Sequence, residues 1–432
     1  MDIQTVLFDL DGTLTRSGEG IINCARYAAE QMHCSAGPED WSVFIGPPLY
    51  DSFRRFCGLE DEAAAEAVTW YRKRFREVGW EENAVYPGIP RLLRSLRAAG
   101  IHAVIVTSKP EEFAVRIADR FGLSPLIDGI IGPGMGEQQP DKEHLIRRAM
   151  SQFPEPCVMV GDRVFDVEGA ARAGIPSIFA AYGYGRMEEA AGAMAAAESP
   201  QALLDLLLPE GPRARGLFLS MEGVDGCGKS TQQQALVAEM QRLGWEIVLT
   251  REPGGEEIAE KIRQLILDPG NTGMQDVTEA YLYAASRAQN ARMRILPALE
   301  RGEMVICDRY VDSSIAYQGG GRQLGMDRIR ELNAWATENC MPDLTVYLRM
   351  EPHEALARRL NTSVPDRLER EQDSFFQRTF EAYEKLYDGR DGWRVVRVNA
   401  ASSIEAVTQE MLMRVRQRLA DLAKRDRQNG QE

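Results

Sequence analysis

Short apolar segments alternate with helical patterns along the whole chain, and the alternation forms two complete series. Strand-like segments of the first series lie at 5–10, 103–107, 158–161 and 177–181. Those of the second series lie at 217–221, 247–250, 304–307, 344–348 and 393–398. This alternation is typical of parallel sheets that carry helices on both faces. The sequence therefore predicts an α/β fold with two domains, each a parallel sheet flanked by helices.

A segment rich in proline, glycine and charge separates the two series. It reads Pro-Glu-Gly-Pro-Arg-Ala-Arg at 209–215, and such a composition interrupts regular structure. A chain of 432 residues has room for two or three domains at roughly 100 to 200 residues each. We predict a first domain over 1–208, a linker over 209–215, a second domain over 216–425 and a polar tail over 426–432. The helical pattern of 16–86, after the first strand, has the size of a cap.

Bulk properties narrow the class of protein. No apolar run approaches the roughly 18 residues of a membrane helix, and the start Met1-Asp2-Ile3-Gln4 lacks the features of a secretory signal. The seven cysteines form no Cys-x-x-Cys pair. A net charge of -14 repels nucleic acid backbones. We therefore expect a cytoplasmic chain whose partners are small molecules, with neither a membrane nor a nucleic acid among them.

Residues 223–230 read Gly-Val-Asp-Gly-Cys-Gly-Lys-Ser, between an apolar strand and a helical pattern. This is a full match to the P-loop pattern in its usual structural context. Backbone N–H groups of such a loop and the start of the helix bind phosphates, Lys229 supplies a positive charge, and the Ser230 hydroxyl can ligate Mg²⁺. The predicted nucleotide site comprises Gly223, Val224, Asp225, Gly226, Cys227, Gly228, Lys229, Ser230 and Thr231.

Four further segments follow the P-loop: Arg-Glu-Pro-Gly-Gly at 251–255, Asp-Arg-Tyr at 308–310, Ala-Tyr-Gln-Gly-Gly at 316–320 and Asp-Arg-Leu-Glu at 366–369. Together with the P-loop they resemble the thymidylate kinase family, in the family's order, from residue 216 to about 420. The resemblance implies a P-loop nucleoside monophosphate kinase fold, ATP and Mg²⁺ as co-substrate and cofactor, and phosphorylation of dTMP to dTDP. It also implies a homodimer formed through this domain.

The acceptor site is predicted from spacing and from the resemblance. Tyr283 and Arg287 lie four residues apart on one helical pattern and so share a face. The resemblance implies that Tyr283 stacks on thymine, Arg287 bonds its O4, Arg309 binds the dTMP phosphate and Tyr317 lies against the sugar. The full predicted dTMP set is Asp225, Arg251, Tyr283, Arg287, Arg309, Ser314, Tyr317 and Gln318.

Phosphoryl transfer needs positive charge over the moving group, which a lid can supply. We predict this lid over 357–372 and name Lys229, Arg309, Arg358 and Arg367 as catalytic, with Arg359 as a further candidate. The sequence leaves open which lid arginine acts. It also offers no account of Arg349, where an acidic residue is commoner in the family.

The first domain opens with Val-Leu-Phe-Asp-Leu-Asp-Gly-Thr-Leu at 6–14. Thr-Ser at 107–108, Lys142 and Gly-Asp-Arg at 161–163 follow in order. This set resembles the haloacid dehalogenase superfamily over 1 to about 205, in particular phosphoglycolate phosphatase-like members. The resemblance implies a Rossmann-like phosphatase core with a helical cap.

Asp9 and Asp11 lie two apart on an extended chain, so their side chains point the same way. Asp9 can then attack phosphorus to give an aspartyl phosphate while Asp11 protonates the leaving group. The resemblance implies that Lys142 neutralises the intermediate, with Lys109 as a rival for that role, and that Thr107 and Ser108 bind the phosphoryl oxygens. The predicted Mg²⁺ ligands are Asp9, Asp11, Asp162 and Asp166.

Two alternatives stay open. The kinase domain can be read as acting on another nucleoside monophosphate, and the first domain as a non-catalytic regulatory or interaction module. The complete set Asp9, Asp11, Lys142 and Asp162 favours an active phosphatase, because a scaffold does not need it. The substrate of that phosphatase is not predicted, since it depends on the cap.

Overall fold

The structure is a computed structural model that describes residues 3–34, 37–45, 49–134, 141–359, 367–388 and 394–429. The chain divides into two compact units whose main boundary lies between Ala214 and Arg215. Each unit is built on its own parallel sheet. Within the described residues, every helix is too short or too polar to cross a membrane.

The first unit contains a six-stranded sheet in the order β3-β2-β1-β4-β5-β6. Its strands are β1 (Thr5–Phe8), β2 (His102–Val106), β3 (Gly129–Ile131), β4 (Cys157–Gly161), β5 (Ser177–Ala180) and β6 (Ala195–Ala197). All neighbouring strands are parallel, and β1 pairs with β2 on one side and β4 on the other. Because β1 is fully buried and central, its carboxyl end lies at the middle of the sheet edge, where ligands of open α/β sheets bind.

Eight α-helices accompany this sheet in the described residues. They are α1 (Gly18–Gln31), α2 (Leu49–Cys57), α3 (Asp61–Arg74), α4 (Ile89–Ala98), α5 (Glu111–Arg120), α6 (Lys142–Met150), α7 (Val164–Ala173) and α8 (Pro200–Leu207). Helices α1 to α3 form the predicted cap. They pack around a buried aromatic cluster that includes Phe44, Phe53 and Phe75, which gives the cap a core of its own.

The second unit contains a five-stranded sheet in the order β11-β10-β7-β9-β8. Its strands are β7 (Phe218–Glu222), β8 (Ile247–Arg251), β9 (Met304–Asp308), β10 (Leu344–Arg349) and β11 (Val395–Asn399). Strand β7 lies between β9 and β10, and all pairings are parallel. The loop that follows β7 therefore begins at the centre of this sheet.

The α-helices described in the second unit are α9 (Lys229–Arg242), α10 (Glu257–Leu267), α11 (Asp276–Asn290), α12 (Leu296–Glu300), α13 (Val311–Ser314), α14 (Met326–Ala336), α15 (Pro352–Arg359), α16 (Asp373–Tyr387) and α17 (Ile404–Asn429). Of these, α15 and α16 flank the predicted lid. A π-helical segment, Ile315–Gly321, continues α13. The central lid residues 360–366 lie outside the described residues.

The structure differs from the sequence prediction at three places. Strands β3 and β6 were missed because each has only three residues, too few to show a pattern. Helix α17 continues to Asn429, so part of the segment predicted as a polar tail is helical. The α/β class with two parallel sheets is confirmed.

Two candidate active sites

The P-loop connects the end of β7 to the start of α9. Gly226 and Gly228 have φ angles of 89° and 94°, a conformation that side chains beyond glycine rarely adopt. Lys229 Nζ donates to the carbonyl oxygens of Gly223 and Val224 at 3.1 and 3.2 Å. Ser230 and Thr231, at the start of α9, are exposed. The loop thus presents backbone N–H groups and a hydroxyl to solvent, with its lysine folded over it.

Arg309 joins the P-loop to the predicted acceptor residues. Its guanidinium donates to Asp225 Oδ1 at 2.6 Å and to Tyr317 Oη at 3.2 Å. The Tyr317 hydroxyl donates in turn to Asp225 Oδ2 at 2.9 Å. Burial would raise the pKa of Asp225, but Arg309 and Lys229 outweigh it and hold that pKa well below its usual range. The three predicted residues therefore form one charged group beside the phosphate loop.

Glu222, the last residue of β7, organises the other side of Arg309. This carboxylate is fully buried and accepts from Tyr310 N at 2.8 Å, Ser313 Oγ at 2.5 Å and Tyr383 Oη at 3.0 Å. Arg309 itself donates to Ser313 Oγ at 3.1 Å. Its φ of 68° is unusual for a residue other than glycine. The strained backbone and the fork of Arg309 are thus held by a buried network that sequence reasoning did not find.

Arg287 lies in a different environment from the one that the sequence predicted. It is 1 % exposed, and its guanidinium donates to Glu252 Oε2 at 2.5 Å, to Asn333 Oδ1 and to the Tyr310 carbonyl at 3.1 Å. Three of its five N–H donors therefore serve protein groups. Arg287 is a buried ion-pair residue as well as a candidate for reading the base, because burial on this scale requires partners.

The remaining acceptor residues cluster around the same region. Tyr283 is half-buried and packs against the main core of this unit. Ser314 and Gln318 are 3 % and 1 % exposed, and the Ser314 hydroxyl and Gln318 Oε1 lack a protein hydrogen-bond partner. Buried polar atoms of this kind call for an explanation, and an absent ligand is one. Gln318 also donates to Glu279, which lies on the same helix as Tyr283 and Arg287, so the structure brings Gln318 to the helix of the base-reading candidates.

The first unit holds a buried acidic cluster at the carboxyl ends of β1 and β4. Lys142 Nζ lies 2.6 Å from Asp9 Oδ1 and 2.7 Å from Asp166 Oδ1, and donates to the Val106 carbonyl at 2.8 Å. Asp162 is fully buried. Burial, with its acidic neighbours, raises the pKa of Asp9 to about 7 and that of Asp162 to about 8. Carboxylates that lie this close together and are shielded from water need a compensating cation.

Asp11 points to a different partner. Lys109 Nζ lies 2.7 Å from Asp11 Oδ2 and 2.9 Å from Asp11 Oδ1. Lys142 and Lys109 therefore have separate roles, and Lys142 is the one that faces Asp9. Thr107 is buried and accepts from the Lys109 backbone N–H at 3.2 Å, while Ser108 is exposed. Asp11 is predicted as a metal ligand, but its carboxylate is held by Lys109 instead of joining the cluster.

The cluster fits a divalent cation. Ligand oxygens of Asp9, Asp162 and Asp166 all lie within 4.8 Å of one another. Three carboxylates against one ammonium leave two negative charges when all are ionised, and carboxylate oxygens are ligands that Mg²⁺ prefers. Gly12, with a φ of 87°, lets the chain pass so close that a Cβ there would lie 2.2 Å from Asp162 Oδ2. These residues would hold Mg²⁺.

Comparisons with known proteins match each unit to a known family. The family model described as Thymidylate kinase matches residues 221–411. The thymidylate kinase of Exiguobacterium sp. is 45 % identical over 197 residues, which are 46 % of this chain and 92 % of that protein. That of Limosilactobacillus fermentum is 44 % identical over 210 residues, 48 % of this chain and 98 % of that protein. The chain belongs to the thymidylate kinase family.

The family model described as Haloacid dehalogenase-like hydrolase matches residues 6–180. A solved structure, that of a predicted phosphatase from Clostridium acetobutylicum, is 39 % identical and covers 48 % of this chain and 99 % of its own, with a TM-score of 0.44. By the two family models, the chain joins a haloacid dehalogenase-like hydrolase domain to a thymidylate kinase domain, and both of the predicted resemblances are confirmed.

Two lid arginines of the thymidylate kinase domain lie elsewhere than predicted. Arg358 donates to the carbonyl oxygens of Ala400 and Ala401 at 3.0 and 3.1 Å. Arg367 donates to Glu279 Oε2 at 2.5 Å and to the Ile266 carbonyl at 2.7 Å. Neither guanidinium contacts the P-loop, because each is taken up by oxygens of neighbouring elements. In the described part of the predicted lid, these contacts keep the two charges away from the P-loop.

Two further arginines of the thymidylate kinase domain are explained by ion pairs. Arg251 is exposed and pairs with Glu260 at 3.0 Å, so the structure does not bring it to the other acceptor residues. Arg349, which the sequence left unexplained, pairs with Glu351 at 2.8 Å and Glu384 at 3.1 Å. Two acidic neighbours thus account for a basic residue at this strand end.

Asp308 is a candidate metal ligand that sequence reasoning missed. It ends β9, next to the P-loop strand, in register with Met221. Its Oδ1 is buried and lacks a protein partner. An acidic residue at the end of the neighbouring strand commonly holds Mg²⁺ together with the P-loop hydroxyl. The signal was present in the motif at 308–310, since the carboxylate follows an apolar strand. The Asp308 carboxylate and the Ser230 hydroxyl are the residues that would hold Mg²⁺ in this unit.

A cavity of about 430 Å³ adjoins the P-loop. It lies between this loop and the two helices that flank the lid, and its lining includes Val224, Asp225, Leu356, Ala357, Phe376 and Gln377. The lining is mostly apolar, with polar groups from Asp225 of the loop and from His353, Asp373, Ser374 and Gln377 of the two helices.

Proposed function

We propose that the thymidylate kinase domain transfers a phosphoryl group from ATP to dTMP and forms dTDP. The observation that carries this proposal is the group formed by Arg309, Asp225 and Tyr317 beside the P-loop. A planar guanidinium suits a monophosphate, and a carboxylate suits a sugar hydroxyl. The names of the relatives, thymidylate kinase in each case, support the same acceptor.

The residues divide the work of phosphoryl transfer. The P-loop N–H groups and Lys229 bind the donor phosphates, Arg309 binds the acceptor phosphate, and Tyr317 with Asp225 orients the sugar. Tyr283 and Arg287 face the base. Mg²⁺, held by Ser230 and Asp308, would neutralise charge on the donor phosphates. Catalysis then comes from position and charge, as is general for this reaction.

We further propose that the hydrolase domain is a Mg²⁺-dependent phosphomonoesterase. Asp9 attacks phosphorus and forms an aspartyl phosphate, and Asp11 donates the proton to the leaving group. Thr107 and Ser108 bind phosphoryl oxygens. The cluster of Asp9, Lys142, Asp162 and Asp166 supports this role, because Lys142 holds Asp9 in place and keeps positive charge beside it.

We propose domains over 1–208 and 216–425 joined by 209–215, and a homodimer formed through the kinase domain. Exposed apolar side chains on two neighbouring helices support the homodimer. They are Ile258 and Leu265 on α10 and Val277 and Tyr281 on α11. Each pair repeats at helical spacing, so each helix presents an apolar stripe of the kind that an interface covers.

The kinase assignment is tested by ADP release from ATP and Mg²⁺ with dTMP, dUMP, dCMP, dGMP or AMP. We expect a preference for dTMP that Arg309→Ala abolishes and Asp9→Ala retains, since Asp9→Ala removes only recycling of phosphate esters by the hydrolase domain. Preference for another monophosphate would contradict the acceptor assignment.

The phosphatase assignment is tested by hydrolysis of p-nitrophenyl phosphate and of deoxynucleoside monophosphates. We expect Mg²⁺-dependent release of phosphate that Asp9→Asn abolishes. A chain that binds Mg²⁺ but hydrolyses none of these esters would favour the alternative, in which this domain regulates the kinase without turnover.

A further inference from the structure

Glu279 lies in the first turn of α11 and is 1 % exposed. Its carboxylate accepts from Gln318 Nε2 at 3.0 Å, from Arg322 at 3.0 and 3.3 Å and from Arg367 at 2.5 Å. Burial would raise its pKa, but the hydrogen bonds of Arg322 and Gln318 outweigh it and lower that pKa. Glu279 is therefore an ionised group, and an ionised carboxylate only accepts hydrogen bonds.

This contact determines which end of the Gln318 amide faces where. Because Glu279 accepts only, Gln318 must direct its NH₂ group towards it. The amide oxygen then points away from Glu279, and that oxygen is buried without a protein partner. The Ser314 hydroxyl, four residues earlier along the same helical stretch, is likewise buried without a partner. The amide oxygen can only accept, whereas the hydroxyl can accept or donate, so the unpartnered amide oxygen indicates a ligand that donates.

We propose that Glu279 is a positioning residue that sets the base specificity of the kinase, by holding the Gln318 amide with its oxygen towards the nucleobase. This inference rests on the proposed function. Thymine and uracil carry a hydrogen-bond donor at N3, whereas N3 of cytosine is an acceptor. An amide oxygen at this place therefore accepts from a 4-keto pyrimidine and repels a 4-amino pyrimidine.

The buried arginines explain why Glu279 can keep this orientation. Arg322 and Arg367 are each 10 % exposed at the side chain, and both pair with Glu279. They supply the positive charge that keeps the carboxylate ionised in a dry environment. If Glu279 were a neutral amide, it could donate to Gln318 Oε1, and the Gln318 amide could turn over and present its NH₂ group to the base.

The test compares dTMP with 5-methyl-dCMP, whose bases differ only at N3 and the 4-position. The measured quantity is the ratio of kcat/KM for the two substrates, in the full chain that also carries Asp9→Ala. We expect Glu279→Gln to reduce the preference for dTMP at least tenfold, chiefly through a higher KM for dTMP and a lower KM for 5-methyl-dCMP. A ratio within twofold of the wild type would overturn the inference.

Arg322→Lys is the matched control. It keeps a positive charge beside Glu279 and leaves the contact between Glu279 and Gln318, but it loses the forked hydrogen bonds of the guanidinium. We expect it to lower the melting temperature and to preserve the substrate ratio. If Arg322→Lys changes the ratio as much as Glu279→Gln does, the effect is loss of packing and the inference fails.

Gln318→Met keeps the test decisive if Glu279→Gln does not fold. It removes the amide while retaining the length of the side chain, and we expect the same loss of preference. Addition of Glu279→Gln to Gln318→Met should then change the ratio no further. An unchanged ratio in Gln318→Met would show that this amide does not read the base.

The wild-type measurement separates this inference from the proposed function. If the wild type phosphorylates dTMP in preference to 5-methyl-dCMP and the Glu279 and Gln318 variants keep that preference, the inference fails and the proposed function stands. If the wild type uses neither pyrimidine, the proposed function fails, and with it the inference.

Discussion

Replacement of Arg287 by leucine removes a buried guanidinium and leaves Glu252 without its main partner. Both side chains are 1 % exposed and their closest atoms lie 2.5 Å apart. Loss of one member of a buried ion pair costs about 3 to 5 kcal/mol, because the other charge stays desolvated. A domain of about 200 residues loses roughly 2 to 4 °C of melting temperature per kcal/mol. We therefore expect the kinase transition to fall by about 6 to 20 °C.

Differential scanning calorimetry of the full chain measures this change. The kinase transition is identified as the one that ATP and dTMP shift upward, since ligands stabilise the domain that binds them. Arg301→Leu is the control, because Arg301 forms an ion pair with Glu303 while its side chain is 57 % exposed, and we expect its melting temperature to match the wild type. A loss below about 1 kcal/mol for Arg287→Leu would refute the reasoning, because it would mean that Glu252 does not depend on Arg287.

Three further predictions concern the two sites. Lys142→Met should abolish hydrolysis of p-nitrophenyl phosphate and leave dTMP kinase turnover unchanged, since Lys142 forms ion pairs with Asp9 and Asp166 of the hydrolase domain; equal loss of both activities would contradict this. Asp308→Asn should raise the Mg²⁺ concentration for half-maximal kinase activity about tenfold, because it removes a charged ligand, and an unchanged Mg²⁺ titration would exclude that role. Burial and Asp312 raise the pKa of Glu222 from 4.5 to about 7, so the folded state holds a proton that the unfolded state releases. The free energy of unfolding should therefore fall by about 3 kcal/mol as the pH rises from 4.5 to about 7. Glu222→Gln should remove this slope in melting curves between pH 5 and 8, and parallel curves for the two proteins would disprove the assignment.

The positions of the main strands and the motifs at their ends followed from the sequence, because both depend on local chain properties. A P-loop needs glycines at 223 and 228 and a lysine at 229, and apolar strands before such motifs place them at the edge of a parallel sheet. The two carboxylates at 9 and 11 likewise follow a buried strand. Family resemblance then supplied the chemistry that these motifs carry.

Partners that are distant in sequence were decided only by the tertiary structure. The sequence prediction preferred Lys142 and left Lys109 as a rival, and the fold places Lys142 against Asp9 and Lys109 against Asp11. Arg367 was predicted at the phosphates, yet its charge is neutralised by Glu279, 88 residues away along the chain. Charge pairing depends on which side chains share a buried volume, and local sequence patterns carry no information about that.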